Sequence, residues 1–378
     1  MLRPRALLHL LLLAGTPVTT LLAQRVAVVT GATRGIGKGI AVELGRAGYA
    51  VFALGRSSRG GTPADGRASG RALPQGVELT VEATAEAVDA VGGRGVGVVC
   101  DAGDEVAMAQ ALESIFAREG RLDVVVCSAY TTPPGTDTGG LRADFWTHGG
   151  MAMWDAVNGV GLRGVYATCA AAAPLMISTA KAEAEAGQRR ESPPPLMVLV
   201  SSFGGKSYTF NVAYGVGKAA IDRLALDMSL QLKEHGVATT SLYPGLVRTE
   251  ANLEMLAQGL WDKASGGLDL SAGETPAFSG KAVAALARLG AEAMLARSGR
   301  VEVVAELATE FGFAEEDGSR PASIRSLKYL APNFIFPEIE REGTAVPRWV
   351  RENVPDLLLP WSVFAGGPPP GDRASNEK

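Results

Sequence analysis

Between Arg25 and Leu242, short aliphatic runs alternate with longer stretches of helical periodicity, and this alternation restricts the fold more than any other feature of the chain. Arg25–Thr30, Ala50–Leu54, Gly95–Cys100, Val124–Val126, Leu196–Val200 and Ala238–Leu242 read as strands. Several are apolar at nearly every position, the pattern of strands covered on both faces. Gly37–Ala47, Val77–Val91, Val106–Arg118, Met153–Ala173 and Ala213–Glu234 read as helices, with Gly48 and Gly236 placed as C-terminal caps. Strand–helix repetition of this kind predicts an α/β fold, a doubly wound parallel sheet of about seven strands with helices on both faces. Residues 57–76 are rich in Gly, Arg, Ser and Pro and read as a flexible surface insertion.

Charge and residue counts narrow the chemistry. A formal net charge of −4, from 36 basic and 40 acidic residues, provides no field for a polyanion, so no nucleic-acid partner is expected. Three cysteines without a CxxC pair cannot build a disulfide framework or a zinc ribbon, and three histidines leave little material for a His-based metal or hydrolase site. No metal is expected.

The first strand runs into Thr30-Gly31-Ala32-Thr33-Arg34-Gly35-Ile36-Gly37 and then a helix. A Walker loop would need Gly at Ala32, and a strict GxGxxG would need Gly at Ile40; neither holds. The remaining GxxxGxG lets backbone approach a pyrophosphate at the helix N-terminus, where free N–H groups and the helix dipole favour an anion. This is a Rossmann-type arrangement. Arg34 lies inside the turn, and Arg56 follows the second strand where an NAD-binding chain carries Asp or Glu. Two guanidinium groups without a carboxylate favour the 2′-phosphate of NADP(H).

Tyr214 and Lys218, four apart on a helix, share one face. Bringing a phenol from a pKa of about 10 to near 7 takes about 4 kcal/mol, which a neighbouring ammonium and an oxidised nicotinamide would supply. With TGxxxGIG upstream, Ser201-Ser202 before the tyrosine and Pro244-Gly245-Leu246-Val247-Arg248-Thr249 after it, the chain resembles the short-chain dehydrogenase/reductase family over about residues 25–312. The resemblance implies an NADP-dependent oxidoreductase that reduces a small apolar carbonyl substrate by hydride transfer. Tyr214 would be the proton donor, Lys218 would hold the nicotinamide ribose, and Ser202 rather than its neighbour Ser201 would bind the carbonyl oxygen. The dinucleotide would be held by Gly31, Thr33, Arg34, Gly35, Ile36, Gly37, Arg56, Asp101, Ala129, Tyr214, Lys218, Val247 and Thr249. The resemblance also implies a substrate loop over 250–280 and a homo-oligomer, dimer or tetramer, built on the Tyr214 helix and the one before it.

Two stretches depart from that pattern. The family's Asn-Asn-Ala-Gly is replaced by Cys127-Ser128-Ala129-Tyr130, and its proton-relay Asn by Gly161. The alternative reading is therefore a membrane-tethered, catalytically weak NADP-binding sensor or scaffold. An epimerase or dehydratase on nucleotide sugars uses the same Tyr and Lys, but retains NAD, against which the two arginines count. Stretches such as Trp154-Asp155, Val160-Gly161-Leu162-Arg163-Gly164 and Phe210-Asn211-Val212 are similar to a branch described as reducing steroid and xenobiotic carbonyls at the endoplasmic reticulum.

The ends carry a different signal. Arg3 and Arg5 precede an uncharged run up to Arg25 (His9 counted as neutral), the pattern of a signal sequence, an anchor or a transit peptide over residues 1–24. The expected place is the endoplasmic reticulum or another membrane, with a plastid or mitochondrion as the alternative for a cleaved transit peptide. A C-terminal extension, 313–378, is aromatic and Pro-rich before a tail expected to be disordered. It would lie on a membrane interface, cover the substrate cleft or pack on the core.

Overall fold

The computed structural model describes residues 24–60, 78–133, 144–146, 150–187 and 192–364. The segment 1–24 lies outside the described residues except for Gln24, as do most of the 57–76 insertion and the tail from 365.

One sheet of seven parallel strands organises the chain. They are β1 (Val26–Thr30), β2 (Ala50–Gly55), β3 (Arg94–Val99), β4 (Val124–Cys127), β5 (Leu196–Val200), β6 (Ala238–Tyr243) and β7 (Val301–Val303), ordered β3-β2-β1-β4-β5-β6-β7. The helices are α1 (Gly35–Arg46), α2 (Val81–Ala90), α3 (Glu105–Glu119), α4 (Gly150–Asn158), α5 (Val165–Glu185) and α6 (Val212–Leu232). Then follow α7 (Glu250–Ala257), α8 (Trp261–Ser265), α9 (Pro276–Leu286), α10 (Ala291–Arg297) and α11 (Val304–Phe311).

Side chains along a strand alternate between its faces, so β1 feeds two cores. Ala27 and Val29 join Ile40 and Leu44 of α1, Phe278 and Leu286 of α9 and Leu307 of α11. Val26 and Val28 join Met108 and Leu112 of α3, Cys169 and Met176 of α5 and Ile221 of α6. Both faces are covered, which is why the strands read as continuous apolar runs. β1 pairs with β2 on one side and β4 on the other, so the strand order reverses there and a crevice opens at their C-terminal ends.

Two helices differ from the expectation, and two further elements are defined only by the structure. Helix α2 starts at Val81, not Val77, because Thr80 caps it by accepting from the Ala83 N–H. The expected helix Met153–Ala173 begins earlier, at Gly150, is interrupted by a π-helical turn over Gly159–Gly164, and runs on to Glu185. The expected substrate loop, 250–280, has secondary structure of its own. It carries α7 and α8, and Glu274 pairs its backbone with Val247. The seventh strand, β7, is three residues long, too short to show a period.

The described part of the C-terminal extension packs on the sheet's β6–β7 end. Trp361 stands edge-on to Tyr243 at 5.8 Å, under the Arg325 guanidinium, and Phe364 meets Phe203 at 5.0 Å.

Candidate active site

The phosphate cradle is built where β1 turns into α1. Gly31 has φ +67°, and a Cβ there would lie 2.7 Å from the Ala129 Cα. Any other residue would be strained and would push β4 away. The Ser128 and Ala129 N–H groups donate to Thr30 Oγ1 at 3.2 and 3.3 Å, which ties the end of β4 to the turn. Thr33 is buried with its methyl toward Gly55, Arg34 is the exposed, extended residue preceding α1, and Ile36 packs partly on the core. Gly37 lies against the Gly31 carbonyl.

At the first residue of α1, the Gly35 N–H donates to Glu250 Oε2 at 2.8 Å. A carboxylate therefore occupies the position that the turn reserves for an oxyanion. Thr249 caps α7 and sets its methyl 3.4 Å from where a Gly35 Cβ would be, and Val247 is buried in the same loop. The loop at 247–250 and the glycine turn thus meet. At the other end, Arg56 Nη1 lies 3.9 Å from Asp101 Oδ2, with both side chains part-exposed. Such a pair is worth about 0–1 kcal/mol and is readily parted by a ligand. The residues present fit a dinucleotide: an anion seat at one helix N-terminus, and a guanidinium at the adenosine end.

The side chains of the expected catalytic set come from the end of β5 and the first turns of α6. Asn211 caps α6 through the Tyr214 N–H at 2.9 Å, which fixes where that tyrosine leaves the helix. The Tyr214 hydroxyl donates to Ser202 Oγ at 2.8 Å, and the Gly204 N–H donates to the same oxygen at 3.1 Å. Ser201 faces elsewhere: it is buried and donates to the Lys218 carbonyl at 3.1 Å. Lys218 Nζ donates to the Val200 carbonyl at 3.0 Å.

Tyr214 and Lys218 are half-buried as residues, with their polar ends deepest. Burial pushes Lys218 down to about 8, against the pull of Asp222 one turn later. Burial raises Tyr214 above its ordinary value, and the Ser202 contact opposes this. A raised phenol keeps its proton, the state a proton donor needs. The Tyr214 ring is held edge-on by Phe210 at 5.1 Å and by Tyr130 at 5.8 Å. Phe210, the one non-glycine with positive φ among the described residues, has φ 62°.

Gly161 faces the Tyr130 ring with room for no more than a methyl group between them; a Cβ there would touch the ring, 3.5 Å from Cδ2. Asn158 does not take its place. It is buried and donates to the Ala213 carbonyl at 3.2 Å, tying α4 to the start of α6.

Residues outside the expected set also shape the site. Asp222, one turn after Lys218, lies buried, accepting from Ser241 at 2.6 Å and from the Tyr243 hydroxyl, and burial raises its pKa. Glu274 lies against Gly245 with its carboxyl pushed up to about 8 by burial. Glu250 is the third, at the phosphate turn. Only their partners mark them, and those lie far away in sequence. Among the described residues no group of acidic, His and Cys side chains is arranged to hold a metal.

The geometry has a counterpart in known proteins. The family model of short chain dehydrogenases matches residues 25–258, which contain both the phosphate turn and the catalytic set. The chain belongs to the short-chain dehydrogenase family. It is similar to dehydrogenase/reductase SDR family member 1 of Mus musculus, 36% identical over 348 residues, covering 86% of this chain and 95% of that protein. The Homo sapiens protein of the same name is 35% identical over 339 residues, covering 88% and 93%. Among solved structures, a 3-oxoacyl-[acyl-carrier protein] reductase from Brucella melitensis in complex with NAD superposes with a TM-score of 0.56 at 20% identity, covering 74% of this chain and 95% of that one. A metagenomic short-chain oxidoreductase in complex with NADP gives 0.51 at 24% identity, covering 74% and 96%. These likenesses place the fold. As a member of this family the chain is an oxidoreductase that uses a nicotinamide dinucleotide.

Proposed function

We propose that the chain is an NADP(H)-dependent reductase of apolar carbonyl compounds, steroid, lipid or xenobiotic. The observation that carries this is the Tyr214 hydroxyl donating to Ser202 Oγ at 2.8 Å beside the Lys218 ammonium. When bound, the reduced dinucleotide supplies a hydride. Tyr214 delivers its proton to the carbonyl oxygen as that oxygen gains charge, and the Ser202 hydroxyl, rotated toward the same oxygen, donates a second hydrogen bond. Lys218 holds the ribose hydroxyls and, as a nearby cation, stabilises the phenolate that Tyr214 becomes. Phe210 and Tyr130 exclude water from one side of the phenol and offer an apolar wall to the substrate.

Arg34 and Arg56 support NADP(H) over NAD(H). A half-open groove of about 600 Å³ between α4–α5 and α6, lined by Trp154, Leu162, Tyr166 and Leu224, contains none of the catalytic side chains. The exposed Trp154 and Tyr166 in that groove support a second copy of the chain seated there, which light scattering would detect as a dimer or tetramer. The uncharged run in residues 1–24 supports a membrane address, tested by fusing it to a fluorescent reporter.

The deciding experiment is NADPH oxidation by the full chain with a panel of ketosteroids and xenobiotic ketones and aldehydes. Wild type turns over, and Tyr214→Phe loses roughly 10²–10⁴-fold with NADPH binding kept. Binding without turnover in the wild type would instead assign the sensor or scaffold role.

A further inference from the structure

Lys218 is a cation in a cleft that disfavours charge, and its surroundings show what offsets this. Its ammonium lies 5.6 Å from the centroid of the Tyr130 ring and 5.7 Å from that of Tyr214. It therefore lies over both rings, in the corner made by their perpendicular planes, with the negative quadrupolar face of each toward it. Tyr214 is held by α6 itself. Tyr130 comes from the loop after β4, is 41% exposed, and presses its edge against Tyr214. What makes room for it is the π-helical turn opposite, where Gly161 presents no side chain to the ring. A Cβ would be tolerated at 3.5 Å, and a longer side chain extending in the same direction would compete with the ring for that space.

We propose that Tyr130 is a positioning residue of the catalytic centre: its ring face holds the Lys218 ammonium charged beside Tyr214, and Gly161 is the gap that lets the ring stand there. This rests on the carbonyl-reductase reading for its consequence, since a neutral amine would neither stabilise a phenolate nor hold ribose hydroxyls as well. The charged and titratable groups bearing on Lys218 are Tyr130, Tyr214 and, one turn along α6, Asp222; its remaining polar contact is the Val200 carbonyl. The two departures at 127–130 and at 161 then form a single matched pair, a ring and the space for it.

The test titrates Lys218 directly. The full chain, labelled with ¹³Cε-lysine, is followed by NMR against pH, with the Lys218 signal assigned by its loss in Lys218→Met. Tyr130→Leu keeps an apolar side chain over the ammonium and removes the π face. Its midpoint falls by roughly 0.4 to 1.5 pH units, the worth of one cation–π contact. Tyr130→Phe keeps the wild-type midpoint. Gly161→Leu lowers it as Tyr130→Leu does, and adds nothing in the Tyr130→Leu background. The proposal is overturned if Tyr130→Leu titrates like the wild type, or if the Tyr130 and Gly161 shifts simply add. The Leu and Phe variants decide it alone if Gly161→Leu does not fold. No substrate enters this measurement, so a chain that reduces no carbonyl would still return a clear answer, and the two failures stay distinguishable.

Discussion

Replacing Glu250 by Gln should tighten dinucleotide binding. In the structure, the Glu250 carboxylate accepts from the Gly35 N–H at 2.8 Å, at the first residue of α1, where the helix carries its partial positive charge. A pyrophosphate using that N–H has to displace the carboxylate and also meets its negative charge. A charge-assisted hydrogen bond at a helix N-terminus is worth about 1–2 kcal/mol. Removing the charge therefore lowers Kd for NADPH by roughly 5- to 30-fold. Gln lies at the low end because its amide oxygen still accepts, and Glu250→Ala lies at the high end. NADPH fluorescence on titration with protein gives Kd directly. The difference should shrink in high salt, where exposed charges are screened. Unchanged or weaker binding in both variants would refute the competition between this carboxylate and the phosphate.

Three further outcomes follow from the same geometry. Arg56→Ala should lower the preference for NADPH over NADH by roughly tenfold or more, since a lost charge-assisted phosphate contact is worth about 1.5–3 kcal/mol; dissociation constants for both nucleotides measure this. Lys218 is charged below its midpoint of about 8, so carbonyl reduction should hold below that pH and decline as pH rises through it, read from single-turnover rates. Gly31→Ala, at φ +67° and facing the Ala129 Cα at 2.7 Å, should cost roughly 1–3 kcal/mol in urea unfolding and weaken NADPH binding as well.

Much of the site was legible because its pieces are local. Tyr214 and Lys218 share a face through helical spacing alone, and the glycine turn announces itself within eight residues of chain. The assignment between neighbouring serines was different. Ser201 and Ser202 are chemically identical, and it is the strand's alternation at the end of β5 that turns one toward the Lys218 backbone and the other to the phenol. The helix boundary at Thr80 was hidden because Val77 and Leu79 extend the apolar pattern past the cap.

By itself, then, the amino-acid order determined the alternation of strands and helices, the anion-binding turn and the Tyr–Lys pair, since each depends on residues within a few positions of one another. Tertiary structure alone decided that Tyr130 meets the gap at Gly161, that Asp222, one turn after Lys218, meets Ser241 and Tyr243, and that Glu250 reaches Gly35 across 215 positions. Those contacts join segments brought together only when the sheet closes and both of its faces are buried, and no periodicity in the chain encodes which distant side chains will then touch.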